Sequence, residues 1–333
     1  MNYRHAFHAG SFADVFKHAV LCRILHYLRE KPAAFRVIDT HAGAGLYDLT
    51  SAEANRGGEW RDGIERLMKA HAAGELPEQA AALLSPFLDV IGALNEPGKL
   101  KTYPGSPAFT RAWLRADDRL VACELEGHAS IALGRNMRAD PRIKTFEIDG
   151  WTALQAYVPP PERRGLVLID PPFEEAADFH RLSHMTGLAH RKWATGIYAL
   201  WYPIKGRFEA DELAKRLRRS GIAKILRAEL LVSPVSDPSR LNGSGLILIN
   251  PPWTLEAELE VLLPVLARLL ERQPRTGGYT LDWISGEAAP VPPKAKPAVK
   301  AAANLKPAAK SAGKGAESAT MGANKGAAKP KSS

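Results

Sequence analysis

The period of hydrophobic positions changes repeatedly along this chain. Across residues 14–30 the apolar side chains Val15, Phe16, Val20, Leu21, Ile24, Leu25 and Leu28 recur every three or four positions, which is the spacing of one helix face. Asp14 suits the first turn of that helix, and Lys31-Pro32 ends it. Residues 35–39 form a short β-rich run that leads into a glycine loop. Three more short apolar runs follow at 120–123, 144–148 and 166–169, each with an acid just beyond: Glu124, Asp149 and Asp170. Strand-like runs at 194–202, 224–232 and 246–249 come later, separated by helical patterns that include 208–219 and 254–271. Strands alternating with helices predict an α/β fold, a mostly parallel, doubly wound, Rossmann-like sheet. No internal repeat is present.

One interval breaks the rhythm. About eighty residues separate the first strand from the second, where a single crossover helix needs little more than a dozen. Residues 48–102 carry helical patterns of their own, at 60–71 and 77–94, and are expected to form a small helical insertion over one edge of the sheet. Two readings stand for it, a lid that grips substrate or a stabilising addition. Loops at this end of a doubly wound sheet surround the ligand crevice, which favours the first.

Charge divides the chain in two. The net charge is +9, but residues 288–333 hold nine lysines, no arginine and one acid, Glu317, which gives that segment +8 and leaves +1 for residues 1–287. The basic character therefore belongs to a segment of Ala, Lys, Pro, Gly and Ser with almost no large apolar residue, expected to be disordered. It reads either as a polyelectrolyte arm for RNA or as a solubilising extension. Residues 1–287 are expected to form one catalytic domain. Cys22 and Cys123 make neither a metal motif nor a disulfide framework, so no metal is expected and a reducing cytoplasm is the simplest home. No run reaches the roughly 18 apolar residues of a membrane span. A monomer is the default.

The chemistry lies in the loops after the strands. Thr40-His41-Ala42-Gly43-Ala44-Gly45 is a glycine loop in which Gly43 lets the backbone approach a ligand. It lacks the G-x-G-x-x-G spacing of a dinucleotide site and no clean helix follows it, so a nucleoside cofactor without phosphate fits better. Glu124 can accept hydrogen bonds from both hydroxyls of a ribose. Asp149-Gly150 stands where an acceptor could meet an adenine amine.

Asp170-Pro171-Pro172-Phe173 is the most informative segment. These are the parts needed to methylate an adenine amine, whose lone pair is delocalised into the ring. A carboxylate and a backbone carbonyl that both accept from the amine hydrogens shift the nitrogen toward tetrahedral geometry. Prolines fix the backbone that aims the carbonyl. An aromatic stacks on a flipped-out base. Asn250-Pro251-Pro252-Trp253 fits the same loose pattern, but it follows the last strand, which in such folds runs antiparallel and ends at the opposite edge. It is expected to be structural, with Trp253 packed at the turn. The N-terminal run Tyr3-Arg4-His5-Ala6-Phe7-His8, with Asp14, Lys17 and His18 after it, reads as a capped and packed terminus or as a segment folded over the crevice.

Taken in order, the motifs YRHAFHAG, DTHAGAG, YPGSP, IDPPF, ATGIYALWYP and INPPW resemble those of the RlmJ family of 23S ribosomal RNA adenine-N6 methyltransferases, over residues 3–284. The resemblance implies a class I methyltransferase fold, S-adenosylmethionine as cofactor, and protein-free 23S rRNA as partner during rRNA processing. His18, His41, Ser106, Glu124, Asp149, Gly150 and Asp170 match the family's cofactor-contacting positions. Asp170 also matches its catalytic acid, and Tyr3 matches a substrate-contacting tyrosine. Lys17, next to His18 in the sequence, could meet phosphate or the target base, and Pro171, Pro172 and Phe173 are the other residues expected at the substrate. The family usually carries tyrosine where this chain has Phe173, which keeps stacking and removes a hydroxyl. Two other functions compete: a DNA adenine methyltransferase, and a non-catalytic RNA-binding assembly factor that kept the fold.

Overall fold

Eight strands form one mixed sheet in the computed structural model, which describes residues 5–175 and 177–286. Tyr3 and the lysine-rich segment lie outside the described residues. The sheet opens with β1 (Arg36–Asp39), flanked by β4 (Arg119–Glu124) and β6 (Gly165–Ile169). β5 (Ile143–Glu147) extends it beyond β4, and β7 (Ile197–Ile204) extends it beyond β6. These five strands are parallel. β9 (Gly243–Ile249) pairs antiparallel with both β7 and β8 (Ile225–Leu231), as the sequence led us to expect for the strand before Asn250. That strand is not the last one. β10 (Gly278–Ser285) adds an antiparallel edge beside β8, which hydrophobic periodicity misses because most of its residues are only partly buried.

Both sheet faces are covered, so central strands read as continuous apolar runs; every residue of β6 is buried. Val37, Leu120, Leu166 and Leu168 face one core, with α1 (Phe12–Arg29), α5 (Ser106–Trp113) and α10 (Leu255–Leu270). Ile38, Val167 and Ile169 face the other, with α7 (Gly150–Tyr157), α8 (Asp178–Lys192) and α9 (Arg207–Arg219). The alternation of 37 and 38, or 166 and 167, between cores is the two-residue period of a strand. No described helix is long and apolar enough to cross a membrane.

The insertion begins and ends on a two-stranded ribbon, β2 (Leu46–Asp48) against β3 (Thr102–Pro104), in which Asp48 pairs with Thr102. Between them come α2 (Ala52–Gly57), a π-helical turn (Arg61–Glu65), α3 (Arg66–Ala72) and α4 (Glu78–Leu94). The expectation that it covers a sheet edge needs correction. α4 packs on α1, α5 and α10 and sends Leu84, Phe87, Leu88 and Ile91 into the first core. It is an outer layer over helices, because its buried residues form a stripe wide enough to seat on several of them.

Candidate active site

The parallel strands deliver their C-terminal ends to one side, and there a cavity of about 470 Å³ opens. That is within the range of pockets that hold a small organic ligand. Its lining includes Lys17, His18, His41, Gly43, Ser106, Glu124, Asp170, Pro171 and Pro172, nine positions that the sequence had singled out. His5 and Ala6, the first described residues of the N-terminal run, line it too. Asp149, Gly150 and Phe173 stand at the same sheet end but outside the lining.

The glycine loop is shaped by its neighbours. Gly43 and Gly45 have positive φ (61° and 77°), where a side chain is strained. A Cβ on Gly43 would come within 2.0 Å of the Tyr47 hydroxyl, which accepts from the Ala44 N–H at 3.1 Å. The ribbon that closes the insertion thus props up the loop through Tyr47 and, after β3, contributes Ser106. Glu124 is fixed from both sides, since Oε2 accepts from Gly43 N and Oε1 from Glu126 N, each at 2.8 Å. Its remaining lone pairs are aimed before any ligand arrives.

Two histidines are held neutral in defined tautomers. Burial pushes His41 down to about 4. The Thr40 hydroxyl donates to the Leu168 carbonyl (3.0 Å), so its oxygen accepts from His41 Nδ1 (2.8 Å) and Nε2 is left as an acceptor. Burial also drives His18 well below the ordinary histidine value. Its Nδ1 faces the buried Tyr103 hydroxyl at 2.9 Å, and the phenol is best satisfied by donating its proton there. His18 Nε2 then carries a hydrogen, and it has no partner.

Asp39 is the residue that the sequence reading missed. It ends β1 as Glu124 ends β4, and it is fully buried. Neither oxygen has a hydrogen-bond partner of ordinary geometry. Burial lifts its pKa to about 7; the Ser106 hydroxyl pulls the other way, and the Asp170 charge adds to the rise. The signal was its place in the row of strand-end acids.

At the other end lies a chain of charges. Asp14 Oδ2 accepts from Gly10 N (2.9 Å) and meets His5 Nε2 (3.0 Å), while Asp14 Oδ1 holds Lys17 Nζ at 2.9 Å. The same ammonium is bonded to Asp170 Oδ2 and lies 5.7 Å from the centre of the Trp201 ring. Burial alone would lower the Lys17 pKa, but the two carboxylates outweigh it and raise it, so Lys17 stays a cation. Phe173 has φ 51°, an uncommon setting for a bulky residue that costs on the order of 1–3 kcal/mol and often marks a functional turn. Its ring is held by Phe179 (4.7 Å between centroids) and Trp201 (5.7 Å).

Asp149 Oδ2 accepts from Thr152 N (2.9 Å) and the Thr152 hydroxyl (3.0 Å), capping α7. Gly150 allows the β5 loop to approach the glycine loop, since a Cβ there would lie 2.4 Å from Thr40 O and 2.6 Å from the His41 ring. Backbone cannot yield as a flexible side chain can. Gly150→Ala is therefore expected to cost about 1–3 kcal/mol of stability and to displace His41. Thermal unfolding with calorimetric titration of S-adenosylmethionine checks this; wild-type values in both would contradict the close approach.

The second proline-proline turn is separate from this site. Asn250 Nδ2 donates to Ala194 O and Gly196 O, both at 2.8 Å, which is the structural role foreseen for the turn. Trp253, however, does not pack there: it is 81% exposed. The rigid turn projects it outward.

Comparison with known proteins agrees with the geometry. A family model described as ribosomal RNA large subunit methyltransferase D, RlmJ, matches residues 32–285. Ribosomal RNA large subunit methyltransferase J of Escherichia coli (strain K12) is 41% identical over 287 residues, covering 86% of this chain and all of that protein. The protein of the same name from Haemophilus influenzae is 40% identical over 288 residues, again 86% of this chain and all of the relative. A crystal structure of a Legionella pneumophila protein superposes with a TM-score of 0.76 at 33% identity, covering 84% of this chain and 98% of that one. With a class I methyltransferase sheet, a cavity at its C-terminal edge and relatives matched along their whole length, the chain belongs to the RlmJ family of ribosomal RNA large subunit methyltransferases.

Proposed function

We propose that this enzyme transfers a methyl group from S-adenosylmethionine to the exocyclic N6 amine of one adenine in 23S rRNA, in the cytoplasm, before the RNA is covered by ribosomal proteins. The observation that carries the reading is Asp170, at the end of a buried strand, opening with Pro171 and Pro172 into the cavity. DNA as substrate is disfavoured by the two full-length relatives, both named as ribosomal RNA methyltransferases.

The residues present fit the cofactor. Its amino-acid end carries an ammonium and a carboxylate, and the structure has two buried polar groups to suit them: the Asp39 carboxylate, which the Ser106 hydroxyl and the His41 backbone approach without a hydrogen bond of ordinary geometry, and the unpartnered His18 Nε2–H. Asp39 lies behind the lining, so it would act directly or through one bound water. Ser106 stands beside it. Glu124 would take the ribose hydroxyls, with Gly43 allowing close approach, and His41, Asp149 and Gly150 would border the adenine. S-adenosylmethionine supplies a methyl group made electrophilic by its sulfonium.

Everything else falls to the chain. Lys17 ties Asp170 Oδ2, so Oδ1 is the oxygen left to accept from the target amine. An adenine entering beside it would meet Phe173 and Trp201 as stacking surfaces. As the nitrogen gains the methyl it loses a proton. Lys17, already fully protonated, cannot take it, so the proton leaves through Asp170 to water. The resemblance assigns Tyr3 to the substrate as well.

Two tests follow. The 23S rRNA of cells lacking this protein should lose one N6-methyladenosine, restored by the wild-type chain and not by Asp170→Ala; an unchanged nucleoside profile would refute the reading. Phe173→Ala should raise the KM for RNA by the equivalent of about 1–3 kcal/mol of lost stacking, with Phe173→Tyr close to wild type. Equal kinetics for the alanine variant would count against a flipped base.

A further inference from the structure

The sheet edge that carries Asp170 continues beyond the cavity. Ile169 pairs with Leu200, so Asp170 stands level with Trp201, and β7 runs on in the same direction to Ile204. Ile204 pairs with Gly243, Gly243 with Leu231, and Leu231 with Gly278. The end of β7, the start of β9, the end of β8 and the start of β10 therefore stand in one row. Past that row the backbone is laced across. Asn242 N donates to Ile204 O (2.9 Å), Val232 N to Asn242 O (2.9 Å), and Arg272 N to Val232 O (2.8 Å). The buried Asn242 side chain also donates to Lys205 O (2.9 Å) and Asp237 O (2.7 Å). The Trp201 indole, which faces Lys17 and Phe173, donates to Ser244 Oγ (2.7 Å) on the second residue of β9. The wall of the active site and this row share β7 and β9.

Three cations stand on the row: Lys205 just after β7, Arg240 between β8 and β9, and Arg272 between α10 and β10. All three are exposed, and among the described residues their side chains close no hydrogen bond or ion pair. The acids around them are already engaged. Asp237, the one acid of its loop, accepts from Ser239 N (3.0 Å) and the Ser239 hydroxyl (2.6 Å), and these bonds lower its pKa more than the Arg240 charge does. Glu271 accepts from Thr276 N and Gly277 N, both at 3.0 Å. Glu59 holds His8 (2.9 Å) and Asp62 holds Arg66 (2.5 Å). Glu209 turns back toward Gly206 at the N-terminus of α9, where the helix dipole favours a carboxylate. Burial and then the Arg240 charge lower the Arg272 pKa, against the pull of Glu59 and Asp62, so the two guanidiniums repel each other across the row. Residues 1–287 carry only +1, which makes this row a local excess and not the overflow of a basic body.

We propose that Lys205, Arg240 and Arg272 form a track for the RNA backbone, holding phosphates of nucleotides that neighbour the methylated adenosine. An anion between Arg240 and Arg272 relieves their repulsion. One that also reaches Lys205 must extend over about 14 Å, the width of three strand spacings. A small anion does not span that width, and a phosphodiester chain does. Four residues of β7, about 13 Å, separate the level of Asp170 from Lys205, so the phosphates held here belong to nucleotides beyond the target. Contacts of this kind set the register of the substrate and carry no sequence information. The inference rests on the rRNA reading above.

The test uses the full chain and protein-free 23S rRNA, with binding followed by fluorescence anisotropy across a salt series and methyl transfer followed in the steady state. The triple variant Lys205→Ala/Arg240→Ala/Arg272→Ala should reduce the slope of log affinity against log salt by about 2–3. Its KM for RNA should rise about 10- to 100-fold at about 0.1 M salt. Calorimetric binding of S-adenosylmethionine and kcat at saturating RNA should stay at their wild-type values, since none of the three residues touches the reacting atoms. Lys205→Arg/Arg240→Lys/Arg272→Lys, which keeps the charges, should restore slope and KM; a variant as weak as the alanine one would assign the loss to packing and overturn the track. If the alanine variant also loses cofactor binding it has misfolded, and Arg240→Glu alone decides, with a slope lower by about 1 or more. Wild-type slope and KM in a variant that binds cofactor would overturn the proposal, including the case in which this edge meets an acidic protein. Should the wild-type chain methylate no RNA while the slopes differ as predicted, the track stands and the methyltransferase reading falls.

Discussion

Asp170→Ala lowers methyl transfer by at least about 10²–10⁴-fold, the usual worth of a positioned proton acceptor, and leaves the protein folded. The loss should appear in kcat, with RNA affinity nearly intact, if the carboxylate acts on the amine and stacking holds the base as proposed. Folding survives for a specific reason. Lys17, 5% exposed, loses one of two partners but keeps Asp14 at 2.9 Å. The cost should fall below the roughly 3–5 kcal/mol seen when a buried charge loses its only partner. Single-turnover assays at saturating RNA, with chemical denaturation alongside, measure both quantities. Turnover near the wild-type rate would remove Asp170 from the mechanism.

Asp39→Asn separates two properties that usually move together: it should weaken cofactor binding and stabilise the protein without cofactor. Charge-assisted hydrogen bonds contribute about 1.5–3 kcal/mol, so affinity for S-adenosylmethionine should drop roughly 10- to 150-fold. The stability effect follows from linkage. Asp39 has a pKa of about 7 when folded against 3.8 when unfolded. A raised pKa means that the unfolded chain gives up this proton first. The stabilisation from Asp39 is complete below pH 3.8 and is lost as pH rises through about 7. Above pH 7 the buried carboxylate costs on the order of a few kcal/mol, which the amide avoids. Cofactor affinity should climb with pH up to about 7 in the wild type and stay flat in the variant. Parallel pH profiles for the two proteins would show that Asp39 does not titrate in this window.

Much of this was legible in the sequence, and the reasons are local. β1, β4 and β6 announce themselves because buried parallel strands need apolar runs, whereas β5 at the sheet edge is only partly buried; each has an acid at its end or just beyond it. Asp170, Pro171 and Pro172 were singled out as the loop after a buried apolar strand, and the structure has all three in the lining of the cavity. Chain order separated the two proline-proline turns without coordinates. The insertion's limits, 48 and 102, coincide with a strand pair because the helical pattern stops where the ribbon begins.

What escaped has equally physical causes. β10 alternates around Tyr279, Leu281 and Trp283 with only partial burial, so no clean period survives. Asp39 looked like the end of a strand; its complete burial beside the cavity is what no sequence displays. Trp253 was expected to pack, as most tryptophans do, and only the surrounding turn shows it held out in water. The insertion was expected at an edge because its own sequence does not say that α4 lies on α1 and α10. That packing, with Tyr47 and Ser106 supplied from either side of the insertion, ties it to the glycine loop.

The most direct measurement is methyl transfer from labelled S-adenosylmethionine to protein-free 23S rRNA and to duplex DNA, side by side, with nucleoside mass spectrometry of both products. The account predicts N6-methyladenosine in the RNA, none in the DNA, and none in either with Asp170→Ala. Label in the DNA, or in neither nucleic acid, would contradict it.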